Sequence, residues 1–278
     1  MANLNDLKNI TDRYALRDNI MPTLFIGHGS PMNGIEDNIH SQYWGRLGSQ
    51  LPLPEAVLVV SAHWLTRGTA VTAMPSPKTI HDFGGFPPAL YDIQYHAPGD
   101  TELARLITTE SSTIDIVPDH EWGLDHGAWT ILRHMYPAAS IPVLQLSIDY
   151  SKPAQYHYDL AKDLKRLRKR GVLIIGSGNI IHNLRLIDWQ NMDKPNHGFD
   201  WAHEFNEAFM QNLYSHNHRD LINFSSLGAT ANLAIPTPDH YLPLIYTLGL
   251  SNHNEEPVVF NDQFVAGSLS MTSLQFGF

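Results

Sequence analysis

Two short runs of almost uninterrupted apolar residues most constrain how this chain can fold. They lie at residues 56–62 (AVLVVSA) and 172–176 (VLIIG). A strand with one face in solvent alternates apolar and polar residues, whereas a strand that is apolar at nearly every position is typical of burial on both faces. The two runs therefore predict a central sheet that is covered on both sides.

Weaker patterns along the rest of the chain extend this layered arrangement. Further apolar runs predict strands at residues 23–27, 69–73, 114–117, 141–147, 257–260 and 268–274. Apolar side chains at helical spacing predict helices at residues 101–110, 128–135, 153–170, 201–214 and 238–248. Strands that alternate with helices indicate an α/β fold, with a central, mostly parallel or mixed sheet flanked by helices. We expect a single domain over residues 1–278, beginning with a polar helical lead-in at residues 1–20.

The charge balance excludes some classes of partner. The chain carries 18 basic and 28 acidic side chains, a formal net charge of −10, whereas nucleic-acid binding needs clustered lysine and arginine. We interpret the dense basic run at residues 162–170 (KDLKRLRKR) as the solvated face and last turn of a helix. Because no apolar stretch reaches the roughly 18 residues of a membrane span, and the polar N-terminus is unlike a signal peptide, we expect a cytoplasmic protein with no membrane partner.

Five of the sixteen histidines stand beside glycine, proline or the end of a predicted strand. A neutral imidazole is a common metal ligand and also carries protons near pH 7. Since the chain has no cysteine, a transition-metal site must be built from histidine, carboxylate and water. The candidates are His28 in FIGHGSP, His63 in VVSAHW, His126 in LDHGAW, His182 in GSGNIIHN and His240 in PTPDHYLPL.

His28 and His63 are the strongest of these candidates. Each follows a predicted strand directly, and in α/β sheets ligands bind outside the carboxyl ends of the strands. Gly27 and Gly29 flank His28 and leave its side chain room to point into such a crevice. The alternative is a turn histidine that is bonded only to backbone. Two strands that each deliver a histidine to the same edge favour a metal site.

The local sequence leaves the other three candidates more open. The glycines before His182 are reminiscent of a phosphate loop, but the third glycine of G-x-G-x-x-G is missing and no lysine follows. His240 is predicted on the first turn of a helix, where it either faces the crevice or lies at the surface. No metal-ligand spacing links His126 to a neighbour, so acid/base work and ligation fit it equally well. His81, on the long irregular loop at residues 74–100, is a further candidate for lining a pocket.

The remaining polar-flanked histidines are interpreted as structural residues, mostly at helix surfaces. They are His40, His134, His157, His197, His203, His216, His218 and His253.

Taken together, the motifs resemble the 4,5-DOPA extradiol dioxygenase family of the class III ring-opening dioxygenases. They run in order from about residue 22 to the C-terminus: FIGHGSPMN, VVSAHW, TIHDFGGFPPALYDIQYHAPG, GLDHGAW, IPVLQLS, GSGNIIHNL and TPDHYLPL. The resemblance implies an α/β fold with one mononuclear metal in a cleft. It also implies that the enzyme opens the ring of catechols such as L-DOPA with O2, giving a muconic semialdehyde (4,5-seco-DOPA).

The resemblance also implies roles for the five histidines. His28, His63 and His240 would be metal ligands, His182 a fourth ligand or an acid/base beside them, and His126 an acid/base in the pocket. The wider superfamily commonly binds Fe(II) through two histidines and a glutamate, whereas here the third position is His240. An all-histidine set suits Zn(II) as well as Fe(II), so we expect one divalent ion of either kind.

The same resemblance gives the loop at residues 80–95 a role. Its Phe83, Phe86 and Tyr91 would form an apolar wall against an aromatic ring. Arg185 is a candidate for holding a substrate carboxylate. We expect the side chain of Asp239, the nearest acid to His240, to point away from the metal.

Two other functions remain alternatives at the level of sequence. A zinc-dependent hydrolase would use the same histidines with a metal-bound hydroxide. A non-enzymatic interaction protein could use the same scaffold, because a fold does not dictate function.

Overall fold

Eight strands form one mixed sheet in the computed structural model, which describes residues 13–111 and 113–277. The sheet order is β5-β3-β7-β2-β8-β1-β12-β9, and β10-β11 and β4-β6 form two small ribbons. The described strands are β1 (Thr23–Gly27), β2 (Ala56–Thr66), β3 (Thr69–Thr72), β4 (Lys78–Thr79), β5 (Ile116–Asp119), β6 (Gly123–Leu124), β7 (Val143–Asp149), β8 (Val172–Gly178), β9 (Val258–Phe260), β10 (Phe264–Val265), β11 (Leu269–Ser270) and β12 (Ser273–Phe276).

Helices cover both faces of this sheet, as the apolar runs predict. The described α-helices are α1 (Ile39–Gln50), α2 (Pro88–Tyr91), α3 (Thr101–Glu110), α4 (His126–Met135), α5 (Ala154–Leu164), α6 (Asp200–Tyr214), α7 (His218–Ile222), α8 (Ala231–Ala234) and α9 (Leu242–Leu250). None of the described helices has the length and apolarity needed to cross a bilayer.

The centre of the sheet is parallel and its outer pairings are mixed. Strands β7, β2, β8 and β1 are neighbours that all run the same way. The outer strands β3 and β12 pair antiparallel with β7 and β1. In the register of this core, Ser61 lies opposite Ser177 and Gly27 lies opposite Gly178. The carboxyl ends of β1, β2 and β8 therefore meet at one edge of the sheet.

The continuous apolar runs are explained by two cores, one on each face. Alternate residues of β2 point to opposite sides: Leu58 and Val60 belong to the core that includes α3, α5, α6 and α9, whereas Val57 and Val59 belong to the core with α1 and α4. Every residue of β8 is buried. Burial on both faces removes the alternation that a half-exposed strand would show.

Helix α9 starts later than its pattern predicts, and this difference moves His240. The helix predicted from residue 238 begins at Leu242, with Pro243 in its first turn. The backbone N–H groups of Tyr241 and Leu242 both donate to the carbonyl of Pro238, which closes a tight turn before the helix. Proline fits the first helical turn because its missing N–H has no intrahelical partner there. The prediction that His240 lies on the first helical turn is therefore wrong; it lies in the preceding turn.

Other boundaries differ in ways that have physical causes. The helix predicted over residues 153–170 becomes a 3₁₀-helix from Lys165 to Arg170 and ends at Gly171, whose φ is 78°. The strand predicted over 268–274 is divided into β11 and β12. Helix α1, with few apolar side chains, was not predicted. Of the predicted lead-in, residues 1–12 lie outside the described part of the chain, and residues 15–20 are not helical.

The basic run at residues 162–170 is not simply a solvated face, because Arg168 within it is fully buried. Its guanidinium donates to the carbonyls of Met21 and Leu250, each at 2.7 Å, and to both carboxylate oxygens of Glu255, at 2.6 and 2.9 Å. These bonds tie the start of β1 to the end of α9 across the 3₁₀-helix. The interpretation of this residue as solvated is wrong, since all of its charge is satisfied internally.

We expect the substitution Arg168→Met to lower the free energy of unfolding by about 3–5 kcal/mol, because it leaves two carbonyls and the Glu255 carboxylate without their donor. Urea denaturation of the purified protein measures this change. Arg166→Met is the matched control, since Arg166 is exposed, and a change within about 0.5 kcal/mol is expected there. Equal losses in both variants would contradict a special role for the buried guanidinium.

Candidate metal centre and active site

The five histidines predicted as site residues all line one cavity at the carboxyl edge of the parallel strands. His28 follows β1, His63 lies near the end of β2, and His182 follows β8. His126 is the first residue of α4, and the carbonyl of His240 accepts from the backbone N–H of Asn179 at 2.9 Å, just after β8. Parallel strands place their carboxyl ends together, so residues far apart in sequence meet at this edge.

An irregularity in β2 accompanies the position of His63. The pairing of β2 with β7 shifts register between Val60 and Leu65, on either side of His63. Bulged strands turn side chains away from their regular direction and often occur next to active sites. The shift allows His63, which is only partly buried, to meet the fully buried His28.

The distances show how tightly the rings are grouped. The Nε2 atoms of His28 and His63 are 3.1 Å apart. The ring centroid of His126 lies 3.9 Å from that of His63, and the ring of His240 lies 5.4 Å from His28 and 5.0 Å from His63. The ring of His182 is stacked on His240 at 3.5 Å. Imidazoles from five segments thus converge in one cleft.

The outer nitrogen of His28 has a defined partner. Its Nδ1 lies 2.9 Å from the hydroxyl oxygen of Ser177, and that hydroxyl donates its own proton to the carbonyl of Gly127 at 2.6 Å. A hydroxyl has a single proton, so the Ser177 oxygen must accept from Nδ1–H of His28. In neutral His28 the lone pair is therefore on Nε2, the atom that faces His63.

Carboxylates lie beside the outer nitrogens of three other rings, and they are hydrogen-bonded to those of His126 and His240. Asp82 Oδ2 lies 2.9 Å from Nδ1 of His126 and 3.3 Å from Nδ1 of His63, and Asp82 Oδ1 accepts from the backbone N–H of His126. Asp239 forms a short hydrogen bond with Nδ1 of His240. Metal-ligating histidines characteristically donate their second N–H in this way, which fixes the tautomer and the ring orientation.

Burial controls the protonation states of these groups. Burial, reinforced by the neighbouring imidazoles, holds the pKa of His28 and of His63 well below the ordinary histidine value. Burial likewise lowers the pKa of His182 to about 3. For Asp82 burial acts in the opposite sense, but the hydrogen bond from His126 and the nearby histidines outweigh it and lower its pKa. Near neutral pH His28, His63 and His182 are therefore neutral, whereas Asp82 and Asp239, whose carboxylate is hydrogen-bonded to His240, are ionised because their pKa values are lowered.

This donor set fits a divalent metal ion. The unprotonated Nε2 of His28 lies 3.1 Å from Nε2 of His63, and Nδ1 of His63 lies 3.3 Å from the ionised Asp82. At this separation the two inner nitrogens can share a proton, or a cation in its place. Two nitrogens bound tetrahedrally to one ion at about 2.0–2.1 Å would be roughly 3.3 Å apart, close to this separation.

The geometry gives two separate groups of possible ligands. His28, His63 and His126 offer nitrogens that lie within 4.8 Å of one another, and so do the ligand atoms of His182, Asp239 and His240. The sequence resemblance instead joins His240 to His28 and His63. The five histidines of these groups all line the same cleft.

Glycines at the strand ends permit this close approach. A Cβ on Gly178 would overlap the carbonyl oxygen of His240, and one on Gly127 would overlap the hydroxyl of Ser61 and lie 3.1 Å from Cδ2 of His63. The absence of a side chain at these two positions lets the segments that carry the histidines pack against one another.

The cavity has a volume of about 430 Å³ and largely apolar walls beyond the histidines. Phe83 and Phe86 of the long loop line it, as the sequence predicts, and the ring of Phe83 lies 5.6 Å from that of His126. Tyr91 packs against Phe83 at 5.1 Å and is not among the described lining residues. His81 also lies outside that lining; its Nε2 is 3.0 Å from the carbonyl of Ile93.

Sequence reasoning missed two supporting residues and did not foresee the contacts of two others. Asp82 stands within the quoted motif IHDFGGF and Ser177 within GSGN, but neither pattern says which histidine each residue will hold. The side chain of Asp239, expected to point away from the metal, bonds the outer nitrogen of His240. His157, interpreted as structural, is fully buried and its Nδ1 lies 3.0 Å from the hydroxyl of Tyr246.

Comparisons with known proteins agree with the residue-level resemblance. Residues 22–275 match the family model described as the catalytic LigB subunit of aromatic ring-opening dioxygenase. The chain is 48% identical to a 4,5-DOPA dioxygenase extradiol of Escherichia coli K12, with 92% of this chain and 95% of the relative covered. It is 34% identical to a 4,5-DOPA dioxygenase extradiol of Beta vulgaris, with 93% and 97% covered.

A solved structure shares the fold. The crystal structure of a protein from Escherichia coli K12, described as uncharacterized, superimposes with a TM-score of 0.80 at 42% identity. The match covers 92% of this chain and all of that one.

We expect Ser177→Ala to weaken divalent-metal binding by about 10–100-fold, because Nδ1–H of His28 loses the acceptor that fixes its tautomer and orientation. Metal titration of the purified protein, followed by calorimetry, measures the effect. Ser251→Ala is the matched control: Ser251 is also buried and bonds a backbone carbonyl, but it lies at the opposite end of α9 from His240. Unchanged affinity in Ser177→Ala would show that this hydrogen bond does not orient a ligand.

Proposed function

The chain belongs to the family of the catalytic LigB subunit of aromatic ring-opening dioxygenases, and on that basis we propose that its histidine cleft opens the ring of a catechol such as L-DOPA. The membership and the relatives make it a metal-dependent extradiol ring-cleaving enzyme. They do not favour the zinc-dependent hydrolase. In extradiol cleavage the carbon–carbon bond next to the diol breaks and both atoms of O2 enter the product, a muconic semialdehyde.

The facing Nε2 atoms of His28 and His63 are the observation that carries the proposal. We assign these two residues as ligands of one divalent ion and His240 as the third. The ring of His240 lies within 5.4 Å of both, and its Nδ1 is held by Asp239 as a ligand's outer nitrogen would be. His182, stacked on His240, is assigned as a fourth ligand or as an acid/base beside the ion.

We propose Fe(II) as the ion that supports turnover. When bound, it would hold the catechol oxygens and supply the redox step with O2, which Zn(II) cannot supply although it fits the same imidazoles.

His126 is assigned to proton transfer. Its Nδ1 is fixed by the ionised Asp82, which would stabilise the imidazolium formed when Nε2 takes a proton from a catechol hydroxyl. The position of His126 suits this role, because the ring of Phe83 lies against the ring of His126. Phe83 would thus hold a substrate ring beside His126. The proton returns when the ring opens. Phe83 and Phe86 also exclude water from the reacting atoms.

Reconstitution of the metal-free protein under anaerobic conditions tests the activity. We expect the Fe(II)-loaded protein to consume O2 with a catechol and form a yellow ring-opened product, and the Zn(II)-loaded protein to do neither. His28→Ala and His63→Ala should lose bound metal and ring cleavage together, because each removes a ligand. His253→Ala, a substitution of an exposed histidine, is the control and should keep both. Activity retained in either ligand variant would exclude that histidine as a ligand.

The role of His126 is separable from ligation. We expect His126→Gln to retain bound metal while kcat falls by about 10²–10⁴-fold, the usual loss when a general acid/base is removed. Metal analysis and O2 uptake on the same preparations distinguish the two properties, with His253→Gln as the control. Loss of the metal in His126→Gln would instead make His126 the third ligand, in the group that it forms with His28 and His63.

A further inference from the structure

Beyond the five imidazoles, the cavity has no charged side chain among the described residues that line it. Its other lining residues are one serine, Ser30, and otherwise glycine, proline, aliphatic, methionine and aromatic residues. Only Ser30 among these carries a polar aliphatic group, and its hydroxyl accepts from the backbone N–H of Met32. The part of a substrate that extends away from the histidines therefore meets apolar walls.

Much of this apolar surface comes from residues 184–192, which we call the rim segment. Leu184 is 58%, Trp189 73% and Met192 42% exposed, although all three line the cavity. Single exposed apolar side chains are ordinary on protein surfaces, but a cluster at the mouth of a ligand cavity marks a binding surface. An apolar group that enters the cavity would cover these side chains.

The polar groups of the rim segment are used to hold its backbone. The N–H of Arg185 donates to the side chain of Asn183, and the N–H of Asp188 donates to the carbonyl of Ala266. The carboxylate of Asp188 is bonded to the ring of His197 at 2.8 Å. The segment is thus anchored by its polar residues, while its apolar side chains remain at the cavity.

Arg185 does not supply a charge inside the cavity. It is exposed and lies outside the described lining, whereas its neighbours Leu184 and Ile187 belong to that lining. A carboxylate that enters beside these side chains would lose hydration without gaining a charged partner. Such uncompensated desolvation of a charged group is strongly unfavourable.

We propose that this site, given the proposed ring cleavage, prefers catechols whose substituent is uncharged and apolar over zwitterionic ones such as L-DOPA, with Trp189 as the specificity-determining residue. The zwitterion must either stay in solvent and leave the rim uncovered, or enter and be desolvated. An alkyl chain gains about fourfold in binding for each methylene that it buries. The apolar rim therefore favours the alkyl catechol, because the alkyl chain gains binding free energy on burial and the zwitterion loses it on desolvation.

A matched substrate series tests the preference. 4-Propylcatechol has the carbon skeleton of L-DOPA without its charges, 3,4-dihydroxyphenylpropionate keeps only the carboxylate, and dopamine keeps only the ammonium. Because each ring carries an alkyl carbon at the same position, ring reactivity is closely similar. With the Fe(II)-loaded enzyme we expect kcat/KM for 4-propylcatechol to exceed that for L-DOPA and for the propionate by about tenfold or more.

Substitution at the rim tests the role of Trp189. We expect Trp189→Ala to reduce the ratio of kcat/KM between 4-propylcatechol and L-DOPA by about tenfold, mainly through KM, and Trp189→Phe to restore most of it. Tyr214→Ala is the control: Tyr214 is an aromatic residue that is 56% exposed at the end of α6, and it lies outside the described lining of the cavity. An unchanged ratio in Trp189→Ala would overturn the assignment of Trp189.

A binding measurement separates this inference from the proposed activity. Anaerobic calorimetry on the Zn(II)-loaded protein compares the affinities of 4-propylcatechol and L-DOPA without turnover. Tighter binding of 4-propylcatechol supports the preference even if no catechol is cleaved, a result that would reject only the ring-opening function. Equal or tighter binding of L-DOPA or the propionate overturns the preference, and a selective loss with Arg185→Ala would then locate the charge partner.

Discussion

The contact between Nε2 of His28 and Nε2 of His63 is the constraint on which the rest of the site depends. Burial keeps both rings neutral; Nδ1 of His28 is committed to Ser177, and Nδ1 of His63 lies beside Asp82. The two inner nitrogens are therefore held at a separation that a shared proton or a shared cation can bridge. The fold stabilises this arrangement by burying the strands on both faces, so that β1 and β2 cannot move apart without exposing two cores.

The carboxylates around the histidine cluster place negative charge behind the imidazole rings. Asp82 serves two rings and Asp239 a third, so negative charge lies behind the imidazoles and not among them. Compared with a site of two histidines and a glutamate, the ion would meet neutral ligands, with the balancing charge one bond further away. Such an arrangement would favour substrate deprotonation, because a divalent ion with neutral ligands would keep its full charge for the catechol oxygens.

The cleft has two chemically different halves, one lined by imidazoles and the other by apolar side chains. In the proposed function the imidazole end would hold the diol, which any catechol provides, whereas the apolar walls and the rim segment would contact the substituent of the ring. Discrimination among catechols must therefore come from the outer half. Relatives named as 4,5-DOPA dioxygenases share the family and most of the chain; we infer that the side chains at the rim set which substituent this chain favours.

The sequence by itself determined the α/β class, the buried strands and the five candidate histidines, because these follow from local periodicity and from residue type beside strand ends. It placed His240 on a helix that in fact starts later, since the turn closed on the Pro238 carbonyl is not visible in an apolar pattern. Only the tertiary structure decided that Asp82 holds His126, that Ser177 sets the tautomer of His28 and that Arg168 is buried. Each of these contacts joins residues distant in the chain, and their pairing is fixed by the sheet register and not by any local preference.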